Sequence, residues 1–324
     1  MPTFLVLLLL LLGTGCATQS NSKLQTLLEQ FEAQGFSGTV LVAKDDRIIL
    51  HEGYGFADQE RRIPNDRETL YEIGSLNKTF TAAAILQLEA QGKLRTTDRI
   101  SKYLGDFPPP KDTATIHHLA THSAGLVVDG ADTGDGTNRD DFIATVKRLP
   151  AESVPGERER YTNAGYSVLT AIIEKVAGVS YDSYVRQNLF RDVWFRGETL
   201  PRPMARGYNE KGVIEPPPLR WGTHGAGGMI MTVADLYRWF TQLRRDPVMK
   251  PMFEDRPEEE GYAWHVEVDK NGRRRILKGG GMPQYQTQLI WYPDERVVII
   301  WATNDLTKRR RQELNERIAN TVLD

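Results

Sequence analysis

A serine and a lysine three positions apart carry the most specific chemical signal in the sequence. Ser75 and Lys78 lie in YEIGSLNKTFTAAAILQLEAQGKL, residues 71 to 94, whose helical pattern begins near the serine and is apolar almost all round. Residues three apart share a helix face, and a lysine removed from water favours the neutral amine, which can accept a proton from a hydroxyl. The pair predicts a nucleophilic serine activated by a lysine. A capping serine beside a surface lysine is the alternative for this spacing, which also occurs at Ser20 and Lys23 in a polar stretch.

Two further motifs fit the same chemistry. RERYTNAGYSVL places Tyr161 and Asn163 two residues apart, so an extended segment would point both side chains the same way, a phenol for proton transfer and an amide to orient a carbonyl. Core packing of Tyr161 and helix capping by Asn163 are the alternatives for each residue alone. RRRILKGGGMPQYQT places Lys278 at the end of a strand pattern, before Gly279 and Gly280, which would let the strand backbone approach a ligand. A solvated strand-end lysine is the alternative there.

Taken in order, these motifs resemble those of the serine β-lactamase and penicillin-binding-protein superfamily, and they are most similar to class C β-lactamases and family VIII esterases. The resemblance rests on Ser75-Leu-Asn-Lys78, Tyr161-Thr-Asn163 and Lys278-Gly-Gly280, and on the flanking stretches IHHLATHSAGL, GYSVLTAIIEKVAG and GAGGMIMTVADLYRW. It implies a β-lactamase/DD-peptidase-like fold and a serine hydrolase that needs neither a metal ion nor an organic cofactor.

The resemblance also implies a role for each motif residue. Ser75 would be the acylated nucleophile, and Lys78 with Tyr161 the proton-transfer pair. The remaining positions would bind the substrate: the side chains of Asn163 and Lys278, the strand glycines Gly279 and Gly280, and an oxyanion hole made by the backbone N–H groups of Ser75 and Gly281.

Three departures from the family pattern bear on the substrate. Lys278 stands where many esterase-like members carry histidine, and Gln284 stands where relatives commonly have glycine. Gly279 stands where β-lactamases usually have threonine, which removes a hydroxyl that would hold a substrate carboxylate. These departures leave the acyl substrate open, but they do not affect the acylation chemistry.

The composition excludes several classes of protein. The 324 residues are enough for one large domain or two closely packed ones, and the single cysteine excludes an internal disulfide. Lysine and arginine together number 41 against 43 acidic residues, a net charge of -2, so no electrostatic footprint for nucleic acid stands out.

The N-terminal segment predicts export. FLVLLLLLL, residues 4 to 12, is an uncharged apolar run too short to span a bilayer comfortably but suited to a signal peptide. Cys16 follows in LLGTGCATQ, which resembles a bacterial lipoprotein processing site where the cysteine becomes the lipidated first residue. We expect a periplasmic lipoprotein anchored to a membrane through Cys16, with residues 1–17 as the signal segment. Cleavage near Ala17, with Cys16 discarded, is the alternative.

Strand patterns lie at both ends of the chain and helical patterns between them. SGTVLVAKDDRIILHEGYG predicts two strands joined at KDDR, while YAWHVEVDKNGRRRILK and QYQTQLIWYPDERVVIIWATN predict hairpins that turn at DKNG and PDER. We therefore expect an α+β fold, in which one antiparallel sheet built from both termini is flanked by helices and carries an inserted, mainly helical subdomain. One hydrolase domain, residues 22–324, would comprise an α/β part (22–75 and 225–324) and a helical part (76–224).

Three histidines and an acidic loop could suggest metal sites. His118 and His122, with His117 beside them, have the i, i+4 spacing of helical ligands, but no carboxylate completes a site, so we expect no bound metal. The stretch DGADTGDGTNRDD lacks the ligand order of a calcium loop and is interpreted as a lid at the rim of the site.

Two downstream clusters have ordinary structural explanations. His224 and Trp221, in the predicted loop EPPPLRWGTHGAGG, would either line the substrate cleft or pack within the loop. Thr232 and Asp235 have the spacing of a helix cap.

The sequence thus predicts an exported serine hydrolase that acts on an ester, an amide or a β-lactam through an acyl-enzyme. Its partners would be a small acyl or peptidoglycan-like substrate and, through Cys16, a membrane; the oligomeric state stays open. A non-catalytic envelope protein that binds peptidoglycan fragments or a protein partner is the alternative from another class.

Overall fold

Strands from both ends of the chain form one antiparallel sheet. The computed structural model describes residues 12–127, 138–215, 220–255, 261–305 and 311–323. The strands within these ranges are β1 (Gly38–Lys44), β2 (Arg47–Tyr54), β3 (Phe56–Asp58), β4 (Ile63–Pro64), β5 (Tyr71–Glu72), β6 (Trp194–Phe195), β7 (Tyr208–Asn209), β8 (Gly212–Val213), β9 (Met229–Met231), β10 (His265–Val268), β11 (Arg274–Gly281), β12 (Gln286–Tyr292) and β13 (Val297–Thr303). The main sheet has the order β10-β11-β12-β13-β1-β2, so β1 joins the C-terminal strands by pairing antiparallel with β13.

The predicted hairpins are all present. Asp45 and Asp46 connect β1 to β2 with φ of 51° and 63°, the positive values required by the two-residue turn that suits the strand twist. The DKNG turn joins β10 to β11, and the PDER turn joins β12 to β13. The α+β sheet built from both termini is therefore confirmed.

Helices cover both faces of this sheet. They are α1 (Leu12–Ala33), α2 (Asn77–Ala90), α3 (Ser101–Leu104), α4 (Ile116–Ala120), α5 (Arg139–Arg148), α6 (Asn163–Ala177), α7 (Tyr181–Asn188), α8 (Val233–Leu243) and α9 (Arg311–Leu323). Val40 and Val42 of β1 belong to the apolar cluster with α1 and α9, whereas Leu41 and Ala43 belong to the larger cluster with α2 and α8. This alternation explains why β1 is buried on both faces.

α2 is the central helix of the larger cluster. Its residues 77–86 are all buried, which agrees with the apolar pattern of the sequence. Phe80 stacks on Trp239 of α8 with ring centroids 4.1 Å apart, and α6 packs alongside α2. Because this packing fixes α2, the residues at its N-terminus have a defined position.

Some predicted boundaries differ from those observed. The helix expected to include Ser75 starts two residues later, because Gly74–Leu76 forms a 3₁₀ turn before α2. The predicted helical part also contains the short strands β6, β7 and β8, and Trp221–Thr223 of the predicted loop forms a 3₁₀ turn. Most of the predicted acidic lid lies outside the described residues, and its last four residues form the cap and start of α5.

The N-terminal predictions concern a region that is only partly described. α1 begins at Leu12 and runs through Cys16, while the rest of the apolar run lies outside the described residues. Within the described ranges, no helix has both the length and the hydropathy that crossing a bilayer requires. The signal segment and the bounds of the two parts of the domain stay predictions.

Candidate active site

Ser75 lies in the 3₁₀ turn that faces β11. Gly74, before it, has φ of +54°, a left-handed conformation that favours glycine. A Cβ atom at Gly74 would lie 2.8 Å from the backbone nitrogen of Gly281, and one at Gly280 would overlap the carbonyl oxygen of Ile73. The glycines on both sides therefore allow the backbone around Ser75 and the end of β11 to approach each other directly.

Lys78 is completely buried and contacts three elements. Its Nζ donates to Ser75 Oγ at 3.2 Å, to Asn163 Oδ1 at 2.7 Å and to the carbonyl oxygen of Ala226 at 3.2 Å. These bonds join the start of α2 to the start of α6 and to the segment before β9. The predicted Ser75–Lys78 pair is thus in direct contact, and the surface-lysine alternative is wrong for this chain.

Tyr161 and Asn163, at the start of α6, contact the Ser75 hydroxyl and the Lys78 amine, respectively. The Tyr161 hydroxyl lies 2.7 Å from Ser75 Oγ, and Tyr161 is 42% exposed rather than packed in the core. Thr162 caps α6, its side chain accepting the N–H of Ala164, so Asn163 is not the cap. The Asn163 amide is instead the acceptor for the lysine, which places the two predicted side chains in one site.

Lys278 and the glycines of β11 form the opposite wall. Lys278 is buried, and its Nζ lies 5.3 Å from the centre of the Tyr161 ring, compared with 4.8 Å for Lys78 Nζ. Gly279 pairs with Gln288 of β12, and a Cβ at Gly281 would meet no other described residue within 4 Å. The contacts between α2, α6 and β11 therefore bring together the predicted residues 75, 78, 161, 163, 278 and 281.

The sequence did not reveal the support behind Lys78. Asn77 donates to the carbonyl oxygen of Gly227 at 2.6 Å and accepts from the Tyr181 hydroxyl at 2.8 Å. Complete burial raises the pKa of Tyr181, which keeps this phenol a neutral donor. A Cβ at Gly225 would overlap the Thr170 hydroxyl, so glycine is needed where this segment crosses α6. Only the GAGG stretch, which resembles the family pattern, pointed to the segment.

An ion pair with a buried carboxylate holds the same segment from the other side. Glu72 of β5 binds the guanidinium of Arg196 with both carboxylate oxygens and accepts the N–H of Gly228 at 3.1 Å. Burial raises the pKa of Glu72, although Arg196 opposes the change. The pair ties the strand that precedes Ser75 to the segment that supplies the Ala226 carbonyl.

The three histidines have structural contacts in the described part of the chain. His117 Nδ1 lies 2.8 Å from the Tyr262 hydroxyl, and His118 Nδ1 accepts the N–H of Thr115 in the cap of α4. The i, i+4 spacing suggested that His118 and His122 share a helix face. They do not, because α4 ends at Ala120, before His122. The described residues contain no group of three or more His, Cys, Asp or Glu side chains placed to hold a metal ion.

The remaining residues considered in the sequence analysis make structural contacts. His224 Nε2 is 3.0 Å from Asp182 Oδ1 of α7, which favours loop packing for this histidine. Thr232 and Asp235 form the capping box of α8, as predicted. Gln284 is buried and packs against Gly207, where an added Cβ would lie 2.3 Å from the Cβ of Gln284.

The chain is similar to several known proteins. The family model described as Beta-lactamase matches residues 24–323. PbpX of Bacillus subtilis (strain 168) is 34% identical over 231 residues, which cover 68% of this chain but only 57% of that relative. Teichoic acid D-alanine hydrolase of Staphylococcus aureus (strain MRSA252) is 27% identical over 285 residues, covering 82% of this chain and 70% of the relative.

The fold is also found in solved structures. The octameric penicillin-binding protein homologue from Pyrococcus abyssi superposes with a TM-score of 0.81 at 24% identity, over 94% of this chain and 77% of that one. At this identity the likeness concerns the fold alone. The family match over residues 24–323 and the identity with PbpX are the stronger finding, and by them the chain belongs to the Beta-lactamase family of serine hydrolases.

Proposed function

We propose that this chain is an exported serine hydrolase that forms an acyl-enzyme on Ser75 and acts on an ester, an amide or a β-lactam. One observation carries the proposal: the Ser75 hydroxyl oxygen lies 3.2 Å from Lys78 Nζ and 2.7 Å from the Tyr161 hydroxyl. Both distances are within reach of direct proton transfer. A serine between two groups that can exchange protons is the arrangement that nucleophilic catalysis requires.

Lys78 and Tyr161 would share the proton that leaves Ser75. Complete burial disfavours a charged amine, and loss of a proton from either Lys78 or Tyr161 turns its Nζ or hydroxyl oxygen into a proton acceptor close to Ser75 Oγ. The nearby Lys278 ammonium would stabilise a phenolate on Tyr161. The same pair would then activate the water that removes the acyl group.

The charge that develops on the substrate would be bound by backbone amides. Attack by Ser75 on a carbonyl produces an oxyanion, and the N–H groups of Ser75 and Gly281 are the proposed donors. Support comes from Gly74 and Gly280, which let these two stretches of backbone lie together without side chains between them. Asn163 and Lys278 would orient the rest of the acyl group.

The acyl substrate is best tested with a panel. A chromogenic cephalosporin, a short-chain nitrophenyl ester and a D-alanyl-D-alanine peptide represent the three bond types, and a D-alanyl ester is added because one relative is a teichoic acid D-alanine hydrolase. We expect a burst of leaving group stoichiometric with the chain on at least one substrate, and a mass increment on the peptide that contains Ser75. Absence of a burst and of any fluorophosphonate adduct, combined with peptidoglycan-fragment binding unaffected by Ser75→Ala, would favour the non-catalytic alternative.

We also propose that Cys16 is lipidated and holds the enzyme at a membrane in the periplasm. The support is the apolar run of residues 4 to 12 followed by the only cysteine of the chain. Expressed in a bacterium, the wild-type chain should incorporate labelled palmitate and sediment with membranes, and Cys16→Ala should do neither. A mature N-terminus beyond Cys16 in the wild type would contradict lipidation.

A further inference from the structure

His122 adopts an unusual backbone conformation beside the site. It is buried, with 2% of its surface exposed, and has φ of +58°, a left-handed value that few residues other than glycine adopt. It follows the last residue of α4 by two positions. A strained position that the surrounding structure maintains is a reason to look for a role in the site.

His122 contacts three consecutive residues centred on Tyr161. Its carbonyl oxygen accepts the N–H of Arg160 at 2.8 Å, and its Nδ1 accepts the N–H of Thr162 at 3.2 Å. Its ring lies against the Tyr161 ring, with centroids 4.4 Å apart and planes inclined by 35°. Backbone bonds therefore fix both neighbours of Tyr161 while the imidazole supports the phenol ring directly.

The imidazole is itself held in one orientation. Tyr166 of α6 lies on it at 5.1 Å between centroids and donates its hydroxyl to the carbonyl oxygen of Ala120 at 2.8 Å. Because Nδ1 accepts a backbone N–H, the neutral ring carries its proton on Nε2. The chain thus supplies a rigid support on one side of Tyr161, a residue that is 42% exposed.

We infer that His122 is a positioning residue that holds the Tyr161 hydroxyl against Ser75 Oγ, an inference that rests on the proposed function. Tyr161 is 42% exposed and precedes α6, so neither complete burial nor a helix determines where its hydroxyl lies. The 2.7 Å contact with Ser75 then depends on the three contacts that His122 makes. Replacing His122 should therefore change the acylation rate only by moving the Tyr161 hydroxyl.

The test compares variants that keep or remove these contacts. His122→Gly adopts the left-handed backbone without strain but loses the ring and the acceptor, whereas His122→Asn tolerates that backbone and retains an oxygen near the position of Nδ1. The measured quantity is the second-order rate constant for Ser75 labelling by a fluorophosphonate. The final extent of labelling gives the fraction of folded molecules. A misplacement of the phenol predicts a loss of about 10- to 100-fold for His122→Gly, with partial recovery in His122→Asn.

A double-variant comparison separates positioning from general stability. In a Tyr161→Phe background, where no hydroxyl remains to be positioned, His122→Gly should cause little further loss. His118→Asn is the matched control, because His118 also accepts a backbone N–H through Nδ1 but contacts the cap of α4 instead. It should leave the labelling rate of the folded sites unchanged.

The outcomes distinguish this inference from the proposed function. If the wild type is labelled at Ser75 and His122→Gly is labelled equally fast, or if its loss is the same in the Tyr161→Phe background, the positioning role is wrong and the proposed function stands. A wild-type chain that is never labelled at Ser75 would overturn both.

Discussion

Replacement of Ser75 by alanine is expected to abolish turnover of every substrate that the parent chain hydrolyses, with kcat falling by at least about 10⁴-fold. Ser75 Oγ is the atom at which the Lys78 and Tyr161 bonds converge, so its removal takes away the acyl acceptor and leaves only substrate binding and the oxyanion donors. Steady-state rates on the substrate panel, together with the mass of the chain after fluorophosphonate treatment, measure the effect.

Ser180→Ala provides the control for this variant. Ser180 is also a serine at the start of a helix, but it caps α7 by accepting the N–H of Ser183, outside the site. Loss of such a cap should lower the free energy of unfolding by about 1 kcal/mol and leave turnover per folded molecule unchanged. Parent-like turnover by Ser75→Ala would show that another group is the nucleophile.

Local signals predicted the sheet well, because its hairpins are determined by residues close in sequence. Asp45 and Asp46 tolerate the positive φ that a two-residue turn requires, and the strands on either side carry apolar residues. The cap formed by Thr232 and Asp235 is likewise a contact three residues apart. Such features can be predicted from the sequence because they do not depend on the tertiary contacts of distant segments.

Contacts between distant segments limited the prediction of the site. The family resemblance brought together residues 75, 78, 161, 163 and 278, but propensity alone would have assigned Asn163 to a helix cap. Thr162 takes that position, which leaves the Asn163 amide for Lys78. The carbonyl of Ala226 carries no side-chain signal at all, since its role depends on the backbone path between Gly225 and Gly227.

The role of His122 was hidden by its spacing. Four positions after His118, it fits a helical pattern, and the sequence has no feature that predicts where α4 ends. The helix stops at Ala120 and His122 takes a left-handed conformation, which turns its ring toward Tyr161. Periodicity is least reliable at such element boundaries, where a functional position also tolerates backbone strain.

Substitution of Lys78 by methionine should remove the chemistry while largely preserving the fold. We expect the rate of Ser75 acylation to fall by about 10²- to 10⁴-fold, because general base catalysis of the attack is lost. Methionine has a similar shape, and loss of the buried amine removes the cost of its desolvation, whereas Asn163 Oδ1 and the Ala226 carbonyl lose their donor. These opposing effects should keep the change in the free energy of unfolding within about 2 kcal/mol.

Lys111→Met is the matched control, since Lys111 is also buried but lies away from Ser75. Its Nζ donates to three carbonyl oxygens at the C-terminal end of α5. They are those of Val146 at 2.6 Å, Lys147 at 2.8 Å and Leu149 at 2.5 Å. Burial lowers the pKa of Lys111, so a buried environment by itself does not make a lysine catalytic.

Lys78→Met should mainly lower the acylation rate, whereas Lys111→Met should mainly lower the free energy of unfolding. Removing the Lys111 ammonium leaves three helix-end carbonyls without a donor, so the free energy of unfolding should fall by about 2–4 kcal/mol while folded molecules acylate at the parent rate. Chemical denaturation and stopped-flow acylation, normalised to the labelling endpoint, measure both quantities. If Lys78→Met acylated as fast as the parent, Lys78 would be a structural lysine like Lys111, and Tyr161 would have to accept the serine proton alone.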